Sequence, residues 1–300
     1  MALILANDGI SAKAEQELKD LGHEVDTKKY QGDALLARLA EVDCVIVRSA
    51  TKLRTPEIDA GAKGNLKLII RGGVGVDNID VDYAVSKGIE VRNTPCASSN
   101  AVAELALGHM LSLARHIGEA NVTMRQGKWL KKQYSGIELS GKTLGLIGFG
   151  RIAKLLAQKC IALGMNIEFI ATHDHGIDSD TCRQVTTDCL LEESDFISIH
   201  MPFAGGKPLI GEKEIERMKD GVFIINCARG GVIDEDALVD AVRSGKVAGA
   251  ALDVFVNEPF DNDRIAECER ISMTPHIGAA TKEAQERIGD EIVDIIKEKF

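Results

Sequence analysis

Short apolar runs alternate with amphipathic stretches from the first residues onward. "ALILAN", "CVIVRS" and "LKLIIRG" are short, rich in apolar residues and bounded by polar segments, the pattern of strands buried in a sheet. "SAKAEQELKDLG" and "GDALLARLAEV" between them carry apolar residues at helical spacing, and Gly22 closes the first. Strands that alternate with helices pair in parallel, because the helix supplies the crossover. The alternation runs to "IEVRNTP", where Pro95 interrupts it.

"SSNAVAELALGHMLSLARHIG" follows, a helix that Ser99 or Asn100 can cap. It is apolar on nearly every face, so it is expected to be buried at a domain junction or a subunit interface. "EANVTMRQGKWLKKQYSGIELSG" is more polar, holds the only Trp, and reads as a helix followed by an extended arm. A second α/β series begins at "KTLGLIGFG". It continues through the helix "RIAKLLAQKCIALG", the strands "NIEFIA", "DFISIHMP" and "GVFIINCA", the helix "DEDALVDAVRSG" and the strand "VAGAALDVF". A last helix runs from Thr281 to Phe300. The fold class is therefore α/β, with two doubly wound parallel-sheet domains. The expected division is residues 1–95 with 277–300, and residues 96–276.

Composition narrows the function. Of the 300 residues 45% are hydrophobic and 27% charged, a globular mix, and only 4% are aromatic, so the cores must be aliphatic. The net charge of -10 gives no attraction to nucleic acid or an anionic membrane, and neither is expected as a partner. An anionic small substrate would need locally placed Arg or Lys. The seven cysteines are scattered with no C-x-x-C pair, which reads as free thiols in a reducing cytoplasm and no metal site. "MALILANDG" has no basic leader region, and no window is long and apolar enough to span a bilayer.

"TLGLIGFGRIAKLLA" is strand, glycine turn and helix, with Gly148, Gly150 and Ala153 in G-x-G-x-x-A spacing. The first glycine permits the tight turn, and the second lets backbone approach a pyrophosphate that the helix N-terminus stabilises. An acidic residue is expected at the tip of the next strand to hold the adenosine ribose. The tip falls instead at Ala171; Glu168 lies mid-strand, and Asp174 lies beyond. No Arg or Lys stands between Ala171 and Cys182, only Thr172, His173 and His175 among the nearest polar groups. NAD is therefore the expected cofactor, weakly discriminated, with NADP possible.

Three later stretches put charge at strand ends, where ligands bind in such sheets. "INCARGGVID" places Arg229, "ALDVFVNEP" places Asp253 and Glu258, and "MTPHIGAAT" places His276. With "RSATK", "GVGVDNID", "GKTLGLIGFGRIA", "NCARGGVIDEDAL" and "SGKVAGAALDVFVNEP", the chain resembles the D-2-hydroxyacid dehydrogenase family over essentially its whole length. Within that family it is most similar to the members that oxidise D-3-phosphoglycerate. The resemblance implies a larger Rossmann dinucleotide-binding domain (96–276), with dimerisation through residues 100–140. It also implies a smaller flavodoxin-like substrate domain (1–95 and 277–300).

It further implies a catalytic set of Arg229, Glu258 and His276. His276 would act as acid/base, Glu258 would orient its ring, and Arg229 would hold the substrate carboxylate. Substrate contacts are expected from Arg48, Ser49, Gly73, Val74, Gly75, Arg229 and His276, with Arg48 taking a distal phosphate and the Gly73–Gly75 backbone offering N–H groups. Cofactor contacts are expected from Val74, Gly148, Gly150, Arg151, Ile152, His200, Met201, Pro202, Cys227, Ala228, Arg229, Asp253, His276 and Gly278. Asp253 would receive the nicotinamide carboxamide. A smaller acid such as glyoxylate or hydroxypyruvate is the alternative substrate, and a dinucleotide-sensing corepressor is the reading outside enzymology. The pattern ends about where the catalytic body of the family ends, so no serine-binding regulatory domain is expected.

Overall fold

The computed structural model describes residues 1–203 and 205–300, Asp178 by its backbone only. The chain forms two compact units, Met1–Ser99 with Ala279–Phe300, and Asn100–Gly278. The seams thus fall slightly beyond those read from the proline positions.

The first unit is built on five parallel strands: β1 (Leu3–Ala6), β2 (Glu24–Asp26), β3 (Cys44–Val47), β4 (Leu68–Arg71) and β5 (Glu90–Asn93). Their order is β2-β1-β3-β4-β5, the flavodoxin-like winding. β3 is buried at every position, which is why it reads as an unbroken apolar run. β2 is half-exposed and carries no such run, because an edge strand needs none. The terminal helix Lys282–Lys299 belongs to this unit; its Ile288, Ile292, Val293 and Ile296 pack with Ile4, Ile46 and Ile70 on one face of the sheet.

The second unit holds β6 (Thr143–Ile147), β7 (Asn166–Ile170), β8 (Asp178–Ser179), β9 (Cys182–Gln184), β10 (Phe196–Ile199), β11 (Val222–Asn226), β12 (Val247–Leu252) and β13 (Ile271–Met273). The order is β13-β12-β11-β10-β6-β7-β9-β8, parallel except for the β8–β9 edge pair. The winding reverses between β6 and β10, so the crevice at their carboxyl ends is the topological switch point, where such sheets bind ligands.

Helix Ser99–Arg115 packs Ala103, Ala106 and Met110 into the core of the second unit. Its burial is less complete than its composition suggests: Glu104, Gly108, Leu111 and Arg115 form an exposed stripe. Among the described residues no helix is long and apolar enough to cross a membrane.

Candidate active site

The glycine turn after β6 has the geometry a dinucleotide needs. Gly148 sits at φ +91°, and a Cβ there would lie 2.9 Å from the His200 carbonyl oxygen. A side chain at Gly150 would meet nothing within 4 Å, so the backbone is open to a ligand. Gly150 caps the helix Arg151–Ala162 without a side-chain hydrogen bond, leaving the helix N-terminus free for a pyrophosphate. Phe149, between the two glycines, is fixed by stacking on Phe169 of β7 with ring centroids 3.7 Å apart. The cofactor therefore fits this turn.

The remaining expected cofactor residues of this unit lie on neighbouring carboxyl ends: His200, Met201 and Pro202 after β10, Cys227 and Ala228 after β11, Asp253 after β12, His276 and Gly278 after β13. Burial pushes the His200 imidazole down to about 4, so it is neutral at physiological pH, and its Nε2 pairs with Ser198 Oγ at 2.9 Å. Ala171 is the first residue past β7, at the strand tip as expected. Glu168 points elsewhere, into a 2.5 Å ion pair with Arg183. Asp174 is exposed and accepts the N–H of Gly176 at 2.8 Å, which folds its own loop.

Arg229 is placed by Asn226, the last residue of β11. Asn226 Oδ1 accepts the Ala228 N–H at 3.0 Å, and its Nδ2 donates to the Arg229 carbonyl at 2.8 Å. Gly230 lets this loop press onto the next one: a Cβ there would lie 1.8 Å from the Phe255 carbonyl oxygen. That close approach sets Arg229 near Glu258, whose carboxyl it helps to keep ionised. Burial pushes Glu258 up, but the hydrogen bond and charge of His276, the Phe255 N–H and the Arg229 charge outweigh it, so the group lies below the usual carboxylate range. Glu258 Oε1 accepts the Phe255 N–H at 3.2 Å, and Oε2 is 2.7 Å from His276 Nδ1.

His276 stands in the left-handed region at φ 52°, a conformation that costs an ordinary residue free energy and tends to persist at functional sites. Its neighbours are held by Asp253, whose Oδ1 accepts the Ile277 N–H at 2.8 Å and whose Oδ2 accepts the Gly278 N–H at 2.9 Å. Thr274 Oγ1 donates to the same Oδ1 at 2.6 Å. Asp253 is 1% exposed, so its visible task is to shape the His276 loop. Sequence alone suggested a contact to the nicotinamide and did not reveal this clamp. The His276 side chain is 37% exposed, and its Nε2 makes no hydrogen bond among the described residues. An imidazole held at Nδ1 by a carboxylate and open at Nε2 can take or give a proton at Nε2.

This pair has a testable consequence. Glu258→Gln keeps the shape of the side chain but removes the charge that faces the ring at Nδ1, so kcat for alcohol oxidation should fall, by less than the about 10²- to 10⁴-fold that a lost general acid–base costs. Wild-type kcat in the variant would rule out the coupling.

In the first unit, the loop after β3 carries Arg48 and Ser49. Asp8 clamps it, accepting the N–H groups of Arg48 at 2.7 Å and Thr51 at 3.0 Å, and Asn78 Nδ2 donates to the Arg48 carbonyl at 2.7 Å. The Arg48 guanidinium makes no ion pair among the described residues, and its stem lies against Gly72, where a Cβ would be 3.8 Å from Arg48 Cγ. The turn after β4 corrects one expectation. Gly73 donates its N–H to the Arg71 carbonyl at 2.9 Å, so it has none to offer an anion. Its φ of +147° and the guanidinium of Arg71 beside it explain why glycine is needed. Among the described residues the amides of Val74 and Gly75 make no backbone hydrogen bond.

Comparison with known proteins places the chain in a family. The model of the D-isomer specific 2-hydroxyacid dehydrogenase NAD binding domain matches residues 107–278. The chain belongs to the D-2-hydroxyacid dehydrogenase family and is an NAD-dependent oxidoreductase. It is 48% identical to a hydroxypyruvate reductase of Thermotoga maritima, with 97% of this chain and 95% of that one aligned. It is 40% identical to the D-3-phosphoglycerate dehydrogenase of Methanocaldococcus jannaschii, covering 99% of this chain but 57% of that protein. A glyoxylate reductase from Paecilomyes thermophila superposes with a TM-score of 0.87 at 33% identity, over 98% of this chain and 94% of the other.

Proposed function

We propose that the protein oxidises D-3-phosphoglycerate to 3-phosphohydroxypyruvate, the entry step of phosphorylated serine biosynthesis, in the cytoplasm. The observation that carries this reading is Arg48, an arginine without an ion-pair partner among the described residues, on a loop that Asp8 and Asn78 hold at the carboxyl end of β3. NAD, when bound, supplies the hydride acceptor. His276 Nε2 takes the proton from the hydroxyl oxygen as hydride leaves the carbon that bears it, and Glu258 stabilises the imidazolium formed. Arg229 grips the substrate carboxylate through its planar fork, and Arg48 takes the phosphate.

A second reading, hydroxypyruvate reduction, is favoured by the full-length similarity to the Thermotoga maritima protein. Steady-state kinetics with phosphoglycerate, hydroxypyruvate and glyoxylate separate the two. On the first reading, Arg48→Ala lowers kcat/KM for phosphoglycerate by about 10- to 150-fold, the roughly 1.5–3 kcal/mol of a charged hydrogen bond. Hydroxypyruvate is then almost unaffected. Equal losses for both substrates make Arg48 structural; turnover of none of the three points to another D-2-hydroxyacid, and turnover of no 2-hydroxyacid at all to a corepressor-like binding role.

The same assay with NAD and NADP tests cofactor choice. Without a carboxylate at Ala171, NAD is expected to be preferred weakly, and Ala171→Asp should raise that preference by about 1.5–3 kcal/mol. Exclusion of NADP by several orders of magnitude in the wild type would assign the role to another residue. A homodimer is part of this reading. Leu111, Ile117, Val122, Met124, Trp129 and Ile137 are exposed apolar residues on one stretch of the second unit, which a second copy would cover.

A further inference from the structure

His109 stands in the helix Ser99–Arg115 with only 5% of its surface exposed. Its neighbours Ala106, Met110 and Leu113 fill the core of the second unit, where an aliphatic residue would serve packing equally well. Its Nε2 lies 3.1 Å from Thr274 Oγ1. Valence fixes the direction of that bond. Thr274 has one hydroxyl proton and gives it to Asp253 Oδ1, 2.6 Å away. Toward His109 the threonine oxygen can therefore only accept, so Nε2 carries the hydrogen. Burial pushes the imidazole below its ordinary range against the opposing charge of Asp253, so the ring is neutral and this is its single N–H.

The chain of bonds thus runs from His109 through Thr274 to Asp253, and from Asp253 to the amides of Ile277 and Gly278. Thr274 and Ile277 flank the strained His276, whose own N–H bonds back to the Thr274 carbonyl at 3.0 Å. The Thr274 N–H is held by the Leu252 carbonyl at 3.0 Å, the hydrogen-bonded amides of His276, Ile277 and Gly278 lead to Thr274 or Asp253, and His109 holds the Thr274 side chain from the helix side. We propose that His109 is a positioning residue, which fixes the His276 loop in its left-handed conformation through Thr274 and Asp253. The proposal rests on His276 being the acid/base, but His109 touches neither substrate nor reacting atoms.

Glutamine places its Nε2 as many bonds from the backbone as histidine does, whereas asparagine reaches only the Nδ1 position. His109→Gln should keep kcat within about threefold of wild type. His109→Asn and His109→Leu should lower it roughly tenfold, less than the ~10²-fold that a 1 Å misplacement of a catalytic group costs. The Kd for NADH, read by its fluorescence, should stay within about twofold in all three. Equal kcat for the Gln and Asn variants, whether high or low, overturns the proposal, as does a Kd for NADH that rises in step with the loss of kcat. If the Leu variant fails to fold, the Gln–Asn pair still decides. An active His276→Ala enzyme would instead refute the acid/base reading itself, so the two failures are distinguishable.

Discussion

Replacing His276 by alanine should lower kcat by about 10²- to 10⁴-fold, the usual contribution of a general acid–base, while NADH still binds. The expectation comes from geometry. The imidazole is held at Nδ1 by Glu258 at 2.7 Å and keeps Nε2 open, on a backbone at φ 52°. The glycine turn that fits the pyrophosphate lies on another strand end and loses nothing in the variant. Alanine also adopts the left-handed region poorly, so relaxation of the loop adds to the loss. Single-turnover hydride transfer, followed at the NADH absorbance, separates chemistry from product release. A variant within a few-fold of wild type would remove His276 from the reaction and leave its strain without a function.

Gly230→Ala should be almost as damaging, although the added group is one methyl and Gly230 contributes no side chain to the chemistry. The new Cβ would lie 1.8 Å from the Phe255 carbonyl oxygen and 2.2 Å from its carbon. Both are backbone atoms, so no rotamer change relieves the clash, and the loops of Arg229 and Glu258 must part. Overpacking of this kind costs about 1–3 kcal/mol of stability, and a displacement near 1 Å costs on the order of 10²-fold in rate. The variant should therefore melt several degrees lower and lose about 10²-fold or more in kcat/KM for the hydroxyacid. Wild-type activity at a lowered melting temperature would mean that the two loops need not touch for catalysis.

The strands most legible in the sequence are those buried on both faces. "CVIV" and "VFIIN" are buried throughout, and burial on both faces demands an unbroken apolar run. The strands Glu24–Asp26, at the edge of the first sheet, and Cys182–Gln184, next to the edge of the second, escape notice because they are short and half-exposed. Gly148 and Gly150 were legible because strand, glycine turn and helix form one continuous local unit. His276, Glu258 and Arg229 stood out as charge at strand ends, where packing gives no reason for it.

What the sequence determined by itself was thus the α/β layering and the dinucleotide turn, and it marked the candidate reactive groups, because each is encoded within about a dozen consecutive residues. Tertiary structure decided the rest, since it depends on which atoms meet across large sequence separations. It spent the Gly73 N–H on the Arg71 carbonyl, pressed Gly230 against the Phe255 backbone, and turned Asp253 into the clamp of the His276 loop. It also brought His109 to Thr274 from 165 residues away. In sequence that histidine is one polar letter in an apolar helix, and its partner appears only once the helix has packed on the sheet.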